Sequence, residues 1–295
     1  MYIAIEWTSA NFHAWNMAAD GTVLAEHKSQ SGVNGVKDGA FELVLRAELA
    51  PWLPETRAIL LSGMVTSRTG WVESPFVTVP AGISDLFSQS VRRGHADLPI
   101  LYFLPGVARQ NPLPDVMRGE EMSIFGIEGR LPELVILPGP HSKWVSTDGE
   151  RIVDLTTYMS GEILNLLRGG SLVSKLIPAD HIPNNAAIDR GVAIAKDKDA
   201  LPGGILQRVF SARSLVLFDQ LKPHDISDYL AGVVIGCEIV EALAGLTVTS
   251  PIVVLGQTPV AAFYRRALEQ FGIDSPSTTS RAAVAFARLL AGLQN

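Results

Sequence analysis

The sequence predicts an α/β fold, and three observations carry that expectation. Short apolar runs suited to buried strands alternate with longer segments of helical period. Turn pairs punctuate them, notably Asp20-Gly21, Pro138-Gly139 and Asp148-Gly149. Hydrophobic residues make up 47% of the 295 residues and charged ones 18%, so the chain can bury two cores of ordinary domain size.

Tyr2–Trp7 reads as a first strand, followed by strands over 14–17 and 22–27 with hairpin punctuation at Asp20-Gly21. Residues 41–53 have helical pattern and end near Pro54. Residues 57–61 form a short apolar run of the buried-strand type, and 98–104 and Leu134–Leu137 repeat it. Residues 151–155 follow the Asp148-Gly149 turn as a strand. Residues 161–168 read as a helix with Ser160 as its cap. Helices are expected over 203–217 and 227–243, a strand over 251–255, and a helix over 258–271 ending at Gly272. The last helix, 281–293, sets Ala283, Phe286 and Leu290 in one register.

The net charge of −6 argues against a nucleic-acid partner, whose phosphates reward a basic face. It does not exclude a small anionic ligand, which responds to local charge. A single cysteine, Cys237, rules out an intrachain disulfide and a cysteine metal cluster, and its apolar helical setting predicts an inert buried thiol. The N-terminus lacks the basic and apolar regions of a signal peptide. The most apolar stretch, 229–248, is interrupted by Glu238 and Glu241, so a buried helix is expected and not a membrane span. Together these features predict a cytoplasmic protein with no membrane partner.

Residues 135–144 are the most informative chemistry. An apolar run stops at Pro138-Gly139-Pro140, and His141, Ser142 and Lys143 follow at once. A tight turn with exposed N–H groups beside a lysine suits anionic oxygens. Three more segments are rich in polar function: residues 62–75 with Arg68, Trp71 and Glu73; residues 115–121 with Asp115, Arg118, Glu120 and Glu121; and residues 157–162, Thr-Tyr-Met-Ser-Gly-Glu. In order and spacing, over nearly the whole chain, these motifs resemble the 2-dehydro-3-deoxygalactonokinase family.

That resemblance implies a two-lobed actin-like ATPase (ribonuclease H-like) fold with mixed sheets flanked by helices. It implies lobes of 1–130 plus 278–295 and of 131–277, with the nucleotide site in the cleft between. It implies ATP and Mg²⁺ as cofactors and 2-dehydro-3-deoxy-D-galactonate, phosphorylated on its 6-hydroxyl, as the sugar-acid substrate. A homodimer stays open. In the first loop, Glu6 stands where the family has Asp and would serve the metal through water. Thr8, Ser9 and Asn11 would meet the nucleotide phosphates, with Thr8 in a glycine position and Ala10 lacking a hydroxyl.

Arg68 would fork onto the substrate carboxylate, beside Trp71 as an apolar wall and Glu73, or would simply pair with Glu73. Glu120 is the first choice of catalytic base, with Glu121 and Asp115 behind it; Glu121 also counts among the substrate contacts. Arg118 would bind substrate or pair with one of these acids. Gly139, His141 and Ser142 would form the second phosphate loop, with Pro140 in place of the family's Thr, or His141 would be a structural histidine, and Lys143 would stabilise the transferred phosphoryl group. Glu162 would contact a sugar hydroxyl, or is favoured only by the helix dipole. Arg213 would reach a ligand or pair with Asp228. Gly256 would let an adenine lie on backbone. Two rival readings stand beside the kinase: a non-catalytic sugar-acid-binding protein whose phosphate loops have decayed at Thr8, Ala10 and Pro140, and a kinase of a different sugar acid.

Overall fold

In the computed structural model, which describes residues 1–293 apart from 96, 198, 200–202, 247, 249 and 277, the chain divides into two units. The first comprises Met1–Pro132, Val145–Leu155 and Thr279–Asn295, and the second Glu133–Trp144 and Thr156–Thr278.

The first unit grows from an alternating apolar strand. β1 (Tyr2–Trp7) pairs antiparallel with β2 (Phe12–Met17), which pairs antiparallel with β3 (Val23–Ser29). After α1 (Phe41–Leu49), β4 (Ala58–Ser62) enters parallel to β1 with Tyr2 opposite Ala58. β5 (Phe76–Thr78) and α2 (Ile83–Ser88) follow, then β6 (Val91–His95) and β7 (Leu98–Phe103). The large sheet has the order β3-β2-β1-β4-β7-β6. Because strand side chains alternate, Ile3, Ile5, Trp7, Phe12, Ile59, Leu61 and Phe103 fall on one face and bury against Leu45 and Leu49 of α1. Each such side chain contributes about 1.5–3 kcal/mol when fully buried. β8 (Gly106–Arg109) and β9 (Asp115–Met117) join β5 in a three-stranded sheet, and α3 (Glu120–Phe125) leaves from it.

The second unit holds β10 (Leu134–Leu137), which leads through β11 (Ser142–Thr147) and β12 (Ile152–Tyr158) to α4 (Ser160–Gly169), α5 (Asn185–Lys196), α6 (Ile205–Leu217) and α7 (Ile226–Ala244). β13 (Val253–Val254) pairs parallel with β10 and precedes α8 (Pro259–Gln270). The sheet order is β12-β11-β10-β13. α7 is apolar around most of its circumference and is accordingly buried along most of its length, Cys237 included. Among the described residues no helix is long and apolar enough to cross a membrane. The last helix, α9 (Ala282–Leu293), returns to the first unit and covers the second face of the large sheet, with Phe286 against Trp15 at 5.8 Å.

Several elements differ from the sequence reading. The far half of the β11–β12 hairpin belongs to the first unit and not to the 131–277 lobe: Ala81 pairs with Ile152, the Leu131 N–H donates to Gly149 O, and Thr147 Oγ1 donates to Pro132 O. Helix α1 stops at Leu49, and a 3-10 turn, Leu53–Glu55, takes up the proline. Ser160 is the first residue of α4 and makes no cap bond, because Met159 holds the cap position. The small sheet and α5 carry no expectation; their segments are too short, or too mixed in polarity, to show a period.

Candidate active site

Two glycines bring three chain segments together in the first unit. Gly63 (φ 93°) ends β4, and a Cβ there would lie 2.8 Å from Trp7 O. Gly119 (φ 112°) precedes α3, and its Cβ would lie 3.1 Å from Gly63 Cα. Only glycine adopts these angles without strain and permits such approach. The result sets the ends of β1 and β4 beside the start of α3, where three carboxyl groups gather.

Their environments separate them. Glu121 is 1% exposed; the Gly119 N–H donates to both of its oxygens at 2.8 Å, and Ser62 Oγ donates at 3.4 Å. Burial, helped by the Glu120 charge, pushes its carboxyl up to about 8. Glu6 rises to about 7, again mainly by burial and then by Glu120. Glu120 keeps a partly exposed surface and accepts the Arg118 backbone N–H at 2.8 Å. Glu6 also lines a cavity of about 800 Å³ with His13, Trp15, Lys28, Ser280 and Arg281. Among the described residues no group of three or more His, Cys, Asp or Glu is arranged to hold a metal ion.

Arg118, expected as a substrate contact, is engaged inside the unit. One terminal nitrogen donates to Thr66 O (2.6 Å), Thr66 Oγ1 (2.8 Å) and Ser74 Oγ (2.9 Å), and the other to Ser74 O (3.0 Å). The guanidinium also lies 4.1 Å from the Phe76 ring centroid. It therefore shapes the 66–74 loop. That loop turns Arg68 outward, 86% exposed, with Nε donating to Glu73 Oε1 at 3.3 Å. Trp71 stacks parallel to Phe41 at 6.3 Å and meets Phe103 edge-on at 5.5 Å, so part of its surface belongs to the core.

The 8–11 turn is tight and internally bonded. The Thr8 N–H donates to Asn11 O at 2.9 Å and the Asn11 N–H to Thr8 Oγ1 at 3.0 Å. Val33 and Asn34 N–H groups brace it by donating to Thr8 O and Ser9 O, each at 3.0 Å. Thr8 has no positive φ: among the described residues the only non-glycines with one are Asp38 and Asp219. A threonine in this glycine position is thus unstrained.

In the second unit the Pro138–His141 turn sits on the start of α4. A Cβ on Gly161 would come within 2.2 Å of Gly139 O and 2.8 Å of Pro140 Cα. The Glu162 N–H donates to Pro140 O at 2.9 Å, and His141 Nε2 meets Glu162 Oε2 at 2.5 Å. The α4 terminus thus holds the loop itself, which explains Glu162 without a sugar. Ser142 is fully buried, and Lys143, 6% exposed, donates from Nζ to Thr157 Oγ1 at 3.1 Å. Gly256 (φ 91°) lies two residues past the end of β13, with its carbonyl accepting from Arg265 at 2.6 Å and no atom within 4 Å of a Cβ placed on it. Asp228, considered as a partner for Arg213, instead meets His181 Nε2 (3.0 Å) and accepts the Asn184 N–H (2.6 Å).

Sequence reasoning missed Glu238. It is 2% exposed on α7 and accepts from Trp144 Nε1 at 2.7 Å and Tyr264 Oη at 2.6 Å. The available signal was an acid within an otherwise apolar helix, which served only to exclude a membrane span.

Comparisons with known proteins cover nearly the whole chain. A model of the 2-keto-3-deoxy-galactonokinase family matches residues 6–291. A Rhizobium meliloti protein provisionally named 2-dehydro-3-deoxygalactonokinase is 31% identical over 290 residues, 96% of this chain and 94% of its own. The Escherichia coli 2-dehydro-3-deoxygalactonokinase is 30% identical over 275 residues, 92% of this chain and 91% of its own. A crystal structure from Sinorhizobium meliloti, provisionally given the same activity, superposes with a TM-score of 0.86 at 28% identity, covering 99% of this chain and 97% of that one. The Acidaminococcus fermentans (R)-2-hydroxyglutaryl-CoA dehydratase component A, at 12% identity, 98% and 96% coverage and a TM-score of 0.50, shares the fold alone. The fold is the two-lobed actin-like ATPase class, with mixed sheets flanked by helices.

Proposed function

The chain belongs to the 2-keto-3-deoxy-galactonokinase family, and from that premise we propose that it transfers the γ-phosphoryl group of ATP to the 6-hydroxyl of 2-dehydro-3-deoxy-D-galactonate. The observation that carries the chemistry is the pair of adjacent carboxyl groups at the start of α3, one buried and one partly exposed. Glu120 accepts the proton of the attacking hydroxyl. Glu121, held by Gly119 and Ser62, fixes the turn on which Glu120 stands. Arg68 takes the substrate carboxylate, presented by the loop that Arg118 braces.

On the nucleotide side, Lys143 stabilises charge on the transferred group, and Gly139, His141 and Ser142 line the phosphate turn. Mg²⁺ enters as part of the nucleotide substrate. It keeps several waters and needs only one or two carboxylates beyond the phosphates, a demand that Glu6 alone fits. Bound there, it would supply positive charge to the phosphoryl oxygens. The reading includes a cytoplasmic location, and the net charge of −6 supports the absence of a nucleic-acid partner.

A binding-only protein is not favoured, because the curated relatives carry the kinase name and two of the three departures that suggested it have ordinary structural accounts. Thr8 is unstrained, and Pro140 contributes the carbonyl that receives the α4 N–H. The test is ADP formation from Mg·ATP with a panel of sugar acids. Turnover with 2-dehydro-3-deoxy-D-galactonate above all others supports the proposal; nucleotide binding without turnover of any acid rejects it.

A further inference from the structure

Glu238 lies outside every motif that suggested the function, yet it joins four elements of the second unit. It projects from α7 and receives Trp144 of β11 at 2.7 Å and Tyr264 of α8 at 2.6 Å. The buried hydroxyls of Ser142, at the start of β11, and Ser160, at the start of α4, lie within interaction range of the same carboxyl, and Ser142 Oγ also donates to Tyr158 O at 3.4 Å. Ser142 follows His141 and precedes Lys143. Ser160 precedes Gly161 and Glu162, the residues on which the Gly139-Pro140 turn rests. One buried carboxyl therefore grips both sides of the phosphate turn from behind.

We propose that Glu238 is a positioning residue for the nucleotide phosphates, holding Ser142 and Ser160 at a fixed separation so that the turn presents its donors and Lys143 in one geometry. This rests on the kinase reading for the identity of the ligand. A carboxyl is suited to the task because its two oxygens offer about four acceptor sites, enough for an indole N–H and three hydroxyls. A hydrophobic residue of similar volume would pack the same space but would take from the Trp144 N–H and the Tyr264 hydroxyl the acceptor they share. Burial raises the Glu238 carboxyl above its usual range, and the side chains of Ser160, Tyr264, Trp144 and Ser142 oppose that rise. The tyrosine side of the arrangement is equally confined: burial, then the neighbouring carboxyl, raises the Tyr264 phenol well above its ordinary value.

The role separates from a purely structural one by which ligand it affects. An unfolded fraction lowers binding stoichiometry and apparent kcat but leaves the affinity of the folded molecules unchanged. A displaced phosphate turn weakens nucleotide and leaves the sugar acid alone.

The experiment titrates Mg·ATP and, separately, 2-dehydro-3-deoxy-D-galactonate calorimetrically into the wild type and into Glu238→Gln and Tyr264→Phe. The second variant removes a single hydroxyl and keeps the ring, so it remains informative should the first fail to fold. The expected result is a loss of Mg·ATP affinity of about fivefold or more in each folded variant, with sugar-acid affinity within about twofold of wild type. Unchanged Mg·ATP affinity in folded Tyr264→Phe overturns the proposal, as does an equal loss for both ligands. ADP formation by the wild type judges the kinase reading on its own, so either can fail without the other.

Discussion

The Gly119 N–H donates to both carboxyl oxygens of Glu121, two residues along the chain, at 2.8 Å each. The turn thus folds its own acid inward and leaves Glu120, the residue between them, partly exposed at the first position of α3. Two adjacent glutamates acquire different environments from a single backbone turn. This division of labour underlies the first two predictions.

Glu120→Gln removes the proposed base while keeping shape and most hydrogen bonding. A fall in kcat of about 10²-fold or more is expected, with sugar-acid and nucleotide affinities changed little. Steady-state kinetics with both substrates varied measures it. Turnover close to wild type would exclude Glu120 as the base.

The pH dependence of stability should carry the mark of Glu121. Its folded carboxyl titrates near 8 and Glu6 near 7, both raised from an ordinary 4.5. Between those values the folded protein holds protons that the unfolded chain has released. The stabilisation is therefore fully present below about pH 4.5 and is lost as pH rises toward 8, at no more than about 1.4 kcal/mol per pH unit for each group. Glu121→Gln cannot ionise, so its urea midpoint should fall less than that of the wild type between pH 6 and 8.5. Parallel curves for the two proteins would contradict the assignment.

Arg118→Ala should lower stability by about 2–4 kcal/mol, since it strands Thr66 and Ser74 acceptors and removes the contact with Phe76. Arg68→Ala should behave oppositely. Its pair with Glu73 is exposed, so stability should change by less than about 0.5 kcal/mol. Its KM for the sugar acid should rise about tenfold or more if the fork binds the carboxylate. Thermal melts and Michaelis curves on the two variants separate the arginine that shapes the loop from the one that uses it.

Gly161→Ala places a methyl group 2.2 Å from Gly139 O, a distance no Cβ tolerates. Either α4 or the phosphate turn must move. A loss of about 2 kcal/mol or more is expected, together with weaker Mg·ATP binding. Wild-type affinity in a folded variant would mean that the turn does not contact the phosphates.

The alternation of Ile3, Ile5 and Trp7, the Pro138-Gly139 turn with His141 to Lys143 behind it, and the order of the Arg68, Glu120 and Gly161 motifs are all local patterns. Period and turns predict an α/β chain, and the resemblance of the ordered motifs to a known family implies the actin-like class and the sugar-acid kinase activity. Side-chain period and turn chemistry are written along the chain, where each residue constrains its near neighbours. What a polar side chain meets after folding is not written there.

Arg118 and Arg68 look alike in sequence, yet one is clasped by Thr66 and Ser74 and the other points outward. Glu121 and Glu120 look alike too, yet one is buried and the other partly exposed. Ser160 has the composition of a helix cap but is the first residue of α4, where it lies near a carboxyl contributed by a helix that begins 66 residues later. Burial, pKa and hydrogen-bond partners depend on contacts between residues distant in the chain, so the roles of these side chains were set only when the strands and helices packed.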